Sequence, residues 1–188
     1  TSLGYNRENL LYIRIEGDLS TAQKYHLFKE EALNMPGIAM VDRSTETPHS
    51  MDFVVTDPID WEGKQKNEIV GFKPASVGFD FIKLMNLQIA EGRGFSAQVA
   101  TDSSDAFMVN EEAVKEMGMK NPIGKSISAW GKKGHIIGVL KDYNTASLKE
   151  PIKPVILDVK EGENFGVILV RMQPGKTKQA LASLAKVY

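Results

Sequence analysis

The chain has 188 residues, no cysteine and a formal net charge of −1, and 42% of its residues are hydrophobic. This length and composition fit one domain with a real core, or two small lobes. The lack of cysteine excludes a disulfide framework and a thiolate metal site, and the lack of a clustered basic run excludes a nucleic-acid interface. No stretch of about 18 apolar residues occurs, so the sequence predicts neither a membrane-spanning helix nor an export signal of its own.

The first predicted elements are a strand and a helix. Apolar and polar residues alternate over residues 11–15, which is the two-residue period of a half-buried strand. Ser20 and Gln23 form a capping-box pattern that predicts the start of a helix, and the Met-Pro-Gly sequence at 35–37 predicts its end. The inner stripe of this helix comprises Tyr25, Phe28 and Ala32.

Short apolar runs predict the next elements. A helix is expected over residues 79–85, and a polar connection over residues 60–67 that Trp61 tethers. Strands are expected at Val41 and at residues 53–56, 68–72 and 87–90.

A turn and a polar stretch then predict a boundary between two lobes. Arg93 stands between Gly92 and Gly94, and we interpret it as a hinge residue that pairs with a carboxylate. Residues 98–105 are rich in Ser, Thr and Asp, which is typical of a linker.

The following segment has local signals for each element. After a short apolar strand at 106–109, Asn110 can accept a backbone N–H at a helix start, and Glu111 and Glu112 face the positive end of the helix dipole. Gly118 offers the positive φ that ends such a helix.

A hairpin and the last elements complete the chain. Strands at 126–128 and 136–140 would be linked by residues 131–134, and further strands are expected at 155–159 and 167–172 before a helix over 177–188. The hairpin tip holds the candidate partner contact, which comprises Trp130, Lys132 and Lys133, although a solvated hairpin with a packed tryptophan explains the same residues.

Several strings of the sequence carry a family resemblance. VNEEAVKEMGMKNPIGKSI at 109–127 and HIIGVLKDYNTASLKEPIKPVIL at 135–157 resemble the extracytoplasmic core domain of MacB-type, FtsX-like ABC transporter permeases, in the form common in the Bacteroidetes. LLYIRIEGDL at 10–19, FDFIKLMNLQIAEGRGFS at 79–96 and ILVRMQPGK at 168–176 extend the resemblance over nearly the whole chain in the expected order. The order and spacing of these strings, rather than any one of them, carry the assignment.

The resemblance implies an α+β fold of two lobes. A membrane-proximal base lobe of βαβ-type units on a mixed sheet, the porter-like part, would comprise residues 1–97 and 160–188. An inserted, smaller, β-rich distal lobe, the sabre-like part, would comprise residues 98–159. The first and last strands would then lie side by side in the base lobe. The resemblance also implies that the chain is a piece of a longer protein, with one transmembrane helix before Thr1 and three after Tyr188.

The implied function is mechanical. The domain would lie on the periplasmic side of the inner membrane and couple cytoplasmic ATP hydrolysis to export or to control of a partner by conformational change. Its implied partners are a separate ATP-binding subunit, a second permease subunit and, outside the membrane, an adaptor, a lipoprotein or a cell-wall hydrolase. The implied domain has no catalytic site, cofactor or metal.

Two alternatives stay open beside this interpretation, namely a stand-alone extracytoplasmic binding protein and a hydrolase. The motifs for chemistry are weak. Gly124-Lys125-Ser126 copies the end of a phosphate-binding loop, but Met119 stands where that loop requires glycine. The three histidines, His26, His49 and His135, have no second ligand at metal spacing, and the eight methionines are explained by core filling.

Overall fold

The structure, a computed structural model, describes residues 3–47, 53–145 and 148–187, and its main feature is one mixed sheet of ten strands. His49 lies outside the described residues. The strands are β1 (Leu10–Arg14), β2 (Ile38–Ser44), β3 (Ile59–Trp61), β4 (Lys73–Val77), β5 (Ile89–Gly92), β6 (Ala106–Asn110), β7 (Ser126–Ala129), β8 (Lys132–Leu140), β9 (Val155–Val159) and β10 (Val167–Met172). The helices are α1 (Ala22–Leu33), α2 (Phe81–Leu84), α3 (Asp102–Asp105), α4 (Glu111–Glu116) and α5 (Thr177–Val187), with a 3-10 turn at Gly17–Ser20. The predicted α+β class is confirmed.

The sheet has two parts that meet at one narrow contact. Its order is β1-β10-β2-β4-β9-β6-β8-β7-β3, and β5 pairs with β8. Between β2 and β4 the register has one pair, Ser44 with Val77, whereas every other neighbouring pair of strands in the described chain shares at least three. We call this contact the joint. It separates a three-stranded side (β1, β10 and β2) from a seven-stranded side.

The two faces of the sheet are covered differently. On one face a single apolar cluster crosses the joint, because it includes Leu169 of β10, Val77 of β4 and Leu157 of β9. On the other face there are two separate clusters, one formed by α1 and α5 on β2 and β10, and one around Phe107, Ile156 and α4. The middle of that second face is left without a covering helix. The predicted lobe boundaries, 1–97 plus 160–188 and 98–159, stay a prediction.

The adjacency of the first and last strands is found as predicted. β1 and β10 pair antiparallel over five residue pairs, from Leu10 with Arg171 to Arg14 with Val167. Arg171 strengthens this region, because its guanidinium donates to the carbonyl oxygens of Leu84 (2.6 Å), Asn6 (2.6 Å) and Glu8. These bonds hold β10, the last strand of the sheet, to the segment just before β1, the first strand.

Local signals gave the correct start and end of α4. The Asn110 side chain accepts a hydrogen bond from the Ala113 N–H at 3.0 Å, so it is the N-cap. Gly118 follows the helix with φ of 65°. The predicted stripe of α1 is also correct, since Tyr25, Phe28 and Ala32 are buried.

The predicted capping box at Ser20 and Gln23 is wrong. Thr21 is the N-cap of α1, and its hydroxyl accepts from the Lys24 N–H at 3.2 Å. Ser20 instead belongs to the preceding 3-10 turn and donates to the carbonyl of Gly17. Thr21 can cap α1 because its backbone is extended (φ −100°, ψ 145°), whereas Ser20 is still part of the 3-10 turn.

Two predicted strands and one predicted connection are also wrong. Residues 53–56 and 68–72 form no strands, and they meet through one isolated bridge between Val55 and Phe72. Asp60 and Trp61, the start of the connection predicted over residues 60–67, form β3 together with Ile59, since Ile59 and Trp61 are buried on either side of exposed Asp60. Apolar content alone cannot tell which short run finds a pairing partner.

The link of the hairpin is shorter than predicted. Ala129 pairs with Lys132, so the turn is Trp130-Gly131 and not residues 131–134. Both turn residues have positive φ, 49° and 80°, which is the signature of a type I′ turn. Lys132 and Lys133 consequently lie in β8 rather than at the tip.

Candidate functional site at the joint of the sheet

The joint is held by more than its one residue pair. The Thr45 N–H donates to the Ser76 carbonyl at 2.9 Å, and the Gly78 N–H donates to the Arg43 carbonyl at 3.0 Å. Next to these bonds, the charged side chains of Asp42 and Arg43 are almost completely buried. Buried charges are costly unless they are paired and hydrogen-bonded, so their partners define what this site does.

Asp42 connects three elements. Its carboxylate accepts hydrogen bonds from the Tyr25 hydroxyl of α1 at 3.0 Å and from the Asp80 N–H at 2.6 Å, just before α2. Lys29 of α1 donates to the Asp80 carboxylate at 2.9 Å and lies 3.9 Å from that of Asp42. Gly78 permits this approach, because a Cβ there would overlap the Asp42 carboxylate. Asp42 thus ties the three-stranded side to the start of α2.

Burial controls the protonation of Asp42. It raises the pKa of this carboxyl from 3.8 to about 6, against the opposing effects of Lys29 and of the hydrogen bond from the Arg43 N–H. The carboxylate therefore exists at neutral pH only because the surrounding donors offset part of its desolvation.

Arg43 connects β2 to the loop between β9 and β10. Its guanidinium donates to the carbonyl oxygens of Glu161 (2.8 Å), Glu163 (2.5 Å) and Phe165 (3.3 Å), and it lies 5.1 Å from the ring centroid of Tyr25. One planar cation thereby holds three carbonyl groups of a single loop. We call Asp42, Arg43 and these partners the clasp.

An apolar groove lies beside the joint, in the middle of the second face, where no helix covers the sheet. It encloses about 300 Å³ over β4 and β9, and Thr45 and Ser76 of the joint are part of its lining. Three aromatic side chains, Phe53, Trp130 and Phe165, line it while remaining 47%, 47% and 51% exposed. Of the charged residues in its lining, Asp158 lies 3.9 Å from Lys132, which is outside the lining, and Lys160 lies 3.5 Å from Glu163. The groove is therefore aromatic, and these three charges are each paired.

The three predicted contact residues do not lie together. Trp130 lines the groove, whereas Lys133 lines a separate shallow pocket with Asp105 and His135. Lys132 is mostly buried, donates to the Ala106 carbonyl at 2.9 Å and lies over the Phe107 ring. Its role in the described structure is packing in the sheet.

The predicted pairing of Arg93 with a carboxylate is found. The Arg93 guanidinium binds Asp102 through two hydrogen bonds of 2.7 and 2.8 Å, and this ion pair lowers the pKa of Asp102. Asp102 belongs to α3, so the stretch predicted as a linker contains a short helix whose first residue is buried. The hinge role of Arg93 stays a prediction.

The shallow pocket brings together the residue types of a hydrolase without their geometry. His135 Nδ1 lies 3.0 Å from Asp105, and Ser126 is the cross-strand partner of His135. No hydrogen bond joins Ser126 to His135 in the described chain, and a nucleophile and its base need such contact. Within the described residues no group of three potential metal ligands occurs.

Asp42 and Arg43 are the residues that sequence reasoning missed. Their signal is two adjacent charged residues at the end of a predicted apolar strand, IAMVDRS. That signal is normally read as the exposed end of a strand, because charged residues are seldom fully buried. Their partners lie 17 to 122 residues away in sequence, so no local pattern indicates them.

Comparison with known proteins identifies the family. The sequence matches the MacB-like periplasmic core domain over residues 2–187. The chain belongs to this family. A search of curated proteins found no match.

Two solved structures share the fold of this MacB-like domain. The periplasmic region of MacB from Actinobacillus actinomycetemcomitans has a TM-score of 0.66 at 14% identity, and the match covers 98% of this chain and 84% of that one. The extracellular domain of the ABC-type transporter YknZ from Gram-positive bacteria has a TM-score of 0.58 at 15% identity, covering 94% and 91%. The family match thus makes this chain a MacB-like periplasmic core domain, and the two solved structures share its fold. None of its described helices is long and apolar enough to cross a membrane.

Replacement of Asp42 tests its protonation. A carboxyl whose pKa is raised on folding binds more protons when folded between pH 3.8 and about 6, so it makes the free energy of unfolding fall as pH rises through that window. In Asp42→Asn this fall should be absent. The free energy of unfolding is measured by urea unfolding at pH 4, 5, 6 and 7. If it changed with pH equally in the parent and the variant, Asp42 would not have a raised pKa in the folded state.

Replacement of Arg43 tests the loop anchor. In Arg43→Lys one ammonium cannot reach the carbonyls that the guanidinium fork binds, so the free energy of unfolding should fall by about 2 kcal/mol. Arg14→Lys, at an exposed position, is the matched control and should change it by less than about 0.5 kcal/mol. Urea unfolding measures both changes. Equal changes in the free energy of unfolding for the two variants would show that the buried hydrogen bonds of Arg43 do not stabilise the fold.

A pair of substitutions tests the backbone strain at Trp130. Both Trp130→Asn and Trp130→Ala remove the aromatic ring, but asparagine tolerates the positive φ of this turn and alanine does not. The asparagine variant should be more stable than the alanine variant by roughly 1 kcal/mol. Thermal unfolding of the two variants measures the difference, and equal stabilities would argue against a strained turn.

Proposed function

We propose that this domain couples ATP hydrolysis in the cytoplasm to work on an extracytoplasmic substrate or partner by bending at the joint. The observation that carries the proposal is the single residue pair, Ser44 with Val77, through which the two sides of the sheet meet. The longer ladders on either side keep each side rigid, so a force between them acts on this contact first.

The placement of the first and last strands supports this mechanism. β1, β10 and the final helix α5 all belong to the three-stranded side. In an intact permease the membrane segments would grip this side, and the seven-stranded side would project toward the substrate. A movement of the membrane segments is then transmitted across the joint.

Bending at the joint would change the shape of the groove. Thr45 and Ser76 belong both to the joint and to the groove lining, and Phe165 reaches the groove from the loop that Arg43 holds. A change in the angle at the joint would therefore widen or narrow the groove. We assign Trp130, with Phe53 and Phe165, as the surface that contacts an apolar or aromatic part of the partner.

The proposal refines the mechanical coupling predicted from the sequence, because it places the conformational change at the joint within the domain. The intact transporter pairs the permease with an ATP-binding subunit, and a second permease subunit completes it. The extracytoplasmic partner is an adaptor, a lipoprotein or a cell-wall hydrolase, and catalysis by this domain is not part of the proposal.

Locking the joint tests the function in the full-length permease, reconstituted with its ATP-binding subunit in lipid vesicles. Thr45→Cys with Ser76→Cys places a disulfide across the joint, where the two residues are already hydrogen-bonded neighbours. Oxidation should lower the rate of ATP hydrolysis about tenfold, and reduction should restore it, because gating motions limit turnover.

A second pair serves as the control. Asp60→Cys with Ser128→Cys bridges β3 and β7, a cross-strand pair inside the seven-stranded side, and should leave the rate unchanged. Full activity of the transporter with a completely formed joint disulfide would show that the domain moves as one rigid body and would overturn the proposal.

A further inference from the structure

Two side chains of α1 reach across the joint. His26 and Lys29 are one turn apart, so they lie on the same face of the helix. The helix itself packs on β2 and β10 of the three-stranded side. The Nε2 atom of His26 lies 3.3 Å from the Glu161 carboxylate, and Lys29 donates to the Asp80 carboxylate at 2.9 Å. We call these two contacts the latch.

Both acidic partners of the latch are connected to the seven-stranded side. Glu161 comes directly after Lys160, whose N–H donates to the Val77 carbonyl of β4 at 2.9 Å. Asp80 lies three residues after the end of β4. Because the Glu161 carbonyl also accepts a hydrogen bond from Arg43 at 2.8 Å, a change in the angle at the joint would release the latch and the clasp together.

The latch contains a group of the type that changes charge near neutral pH. Histidine is the residue type that ordinarily does so between pH 5 and 8. The His26 side chain is 52% exposed, so protons reach it from solvent, and only its protonated ring forms an ion pair with Glu161. Burial opposes the charge of Lys29, but Asp42 and Asp80 raise its pKa, so this half of the latch stays charged. The other described titratable and charged groups that face the latch are Tyr25 of α1, Asp42 and Arg43 of β2, and Lys160 and Glu163 of the loop after β9.

Asp42 responds to pH in the same direction as His26. Burial raises the pKa of its carboxyl to about 6, and the hydrogen bond that it accepts from the Asp80 N–H crosses the joint. Opening the joint would break this bond and hydrate the carboxyl, which returns its pKa toward the ordinary value. The closed form therefore binds the proton more tightly than the open form, and a fall in pH through about 6 favours the closed form.

We infer that the latch makes bending at the joint pH-sensitive, so that acid closes the joint and neutral pH loosens it. His26 acts by gaining a charge opposite Glu161, and Asp42 acts by losing a buried charge. Between pH 7.5 and 5.5 an exposed ion pair such as the first changes the opening equilibrium by about threefold. The change at Asp42 contributes roughly fourfold. The inference rests on the proposed function, because it concerns the same joint.

Amide hydrogen exchange of this chain, followed by NMR, measures the opening of the joint. The N–H groups of Thr45 and Gly78 donate across the joint, so their protection factors, corrected for the intrinsic exchange rate at each pH, report its opening equilibrium. These factors should be about tenfold higher at pH 5.5 than at pH 7.5. The Glu62 N–H, which donates to the Ser126 carbonyl beside the edge strand β3, opens without the latch and should keep the same protection.

Substitutions of His26 separate its contribution from that of Asp42. His26→Gln keeps a hydrogen-bond donor but cannot be charged, so the ratio of protection between the two pH values should fall to about fourfold. His26→Lys is charged at both pH values; its ratio should also be about fourfold, but its protection at pH 7.5 should exceed that of His26→Gln by about threefold. An unchanged ratio in His26→Gln would overturn the inference.

A second histidine provides the matched control. His135 is also half-exposed and lies 3.0 Å from a carboxylate, that of Asp105, but it is far from the joint in the sheet. His135→Gln should therefore keep the ratio of about tenfold at Thr45 and Gly78. Loss of the ratio in this variant as well would show that the pH dependence does not arise at the latch.

The Val155 N–H separates failure of the inference from failure of the proposed function. It donates to the Asn110 side chain at 2.9 Å in the buried part of the seven-stranded side. If Thr45 and Gly78 exchange faster than Val155 but equally well at both pH values, the joint bends without control by pH. If they are as protected as Val155, the joint opens only when the whole chain unfolds, which would refute both the bending and its control.

Discussion

The contact between β2 and β4 determines how the two parts of the sheet are arranged. It joins a three-stranded and a seven-stranded part of one sheet through a single residue pair, Ser44 with Val77. One face is made continuous by a shared apolar cluster, and the other is left open over the same strands. The position of the groove, the burial of Asp42 and Arg43 and the placement of α1 all follow from this arrangement.

The clasp explains why the charged residues Asp42 and Arg43 occupy buried positions at the end of β2, where apolar residues would have a lower desolvation cost. Desolvation of Asp42 and Arg43 opposes folding, and their hydrogen bonds offset it only in one geometry of α1, β2 and the loop after β9. Apolar side chains would allow several geometries. We therefore interpret the clasp as a device that defines the resting angle of the joint, and a device of this kind can be released when the geometry changes.

Sequence reasoning succeeded where the signal is local. The cap at Asn110, the stripe of α1, the strand β9 and the strand β10 each depend on residues within one or two turns of chain, and each was predicted close to its observed place. The family resemblance supplied the fold class, which is confirmed.

It failed where pairing over long sequence distances decides the outcome. Residues 53–56 have the apolar content of a strand but find one bridge, whereas Ile59–Trp61 form a strand because β7 is available beside them. The clasp was missed for the same reason, since Arg43 and the carbonyl of Glu163 are 120 residues apart. Trp130 was found by its aromatic character, but its positive φ could not be seen without the turn.

Bending at the joint can be measured as a change in the distance between the two sides of the sheet. Spin labels at Lys178 in α5 and Asp60 in β3 lie on different sides of the joint, and labels at Asp60 and Lys115 lie on the same side; all three positions are exposed. The account predicts that double electron-electron resonance gives a broader distance distribution for the first pair than for the second, and that Asp42→Asn with Arg43→Lys broadens only the first. Equal and narrow distributions for both pairs, with the clasp intact or replaced, would contradict it.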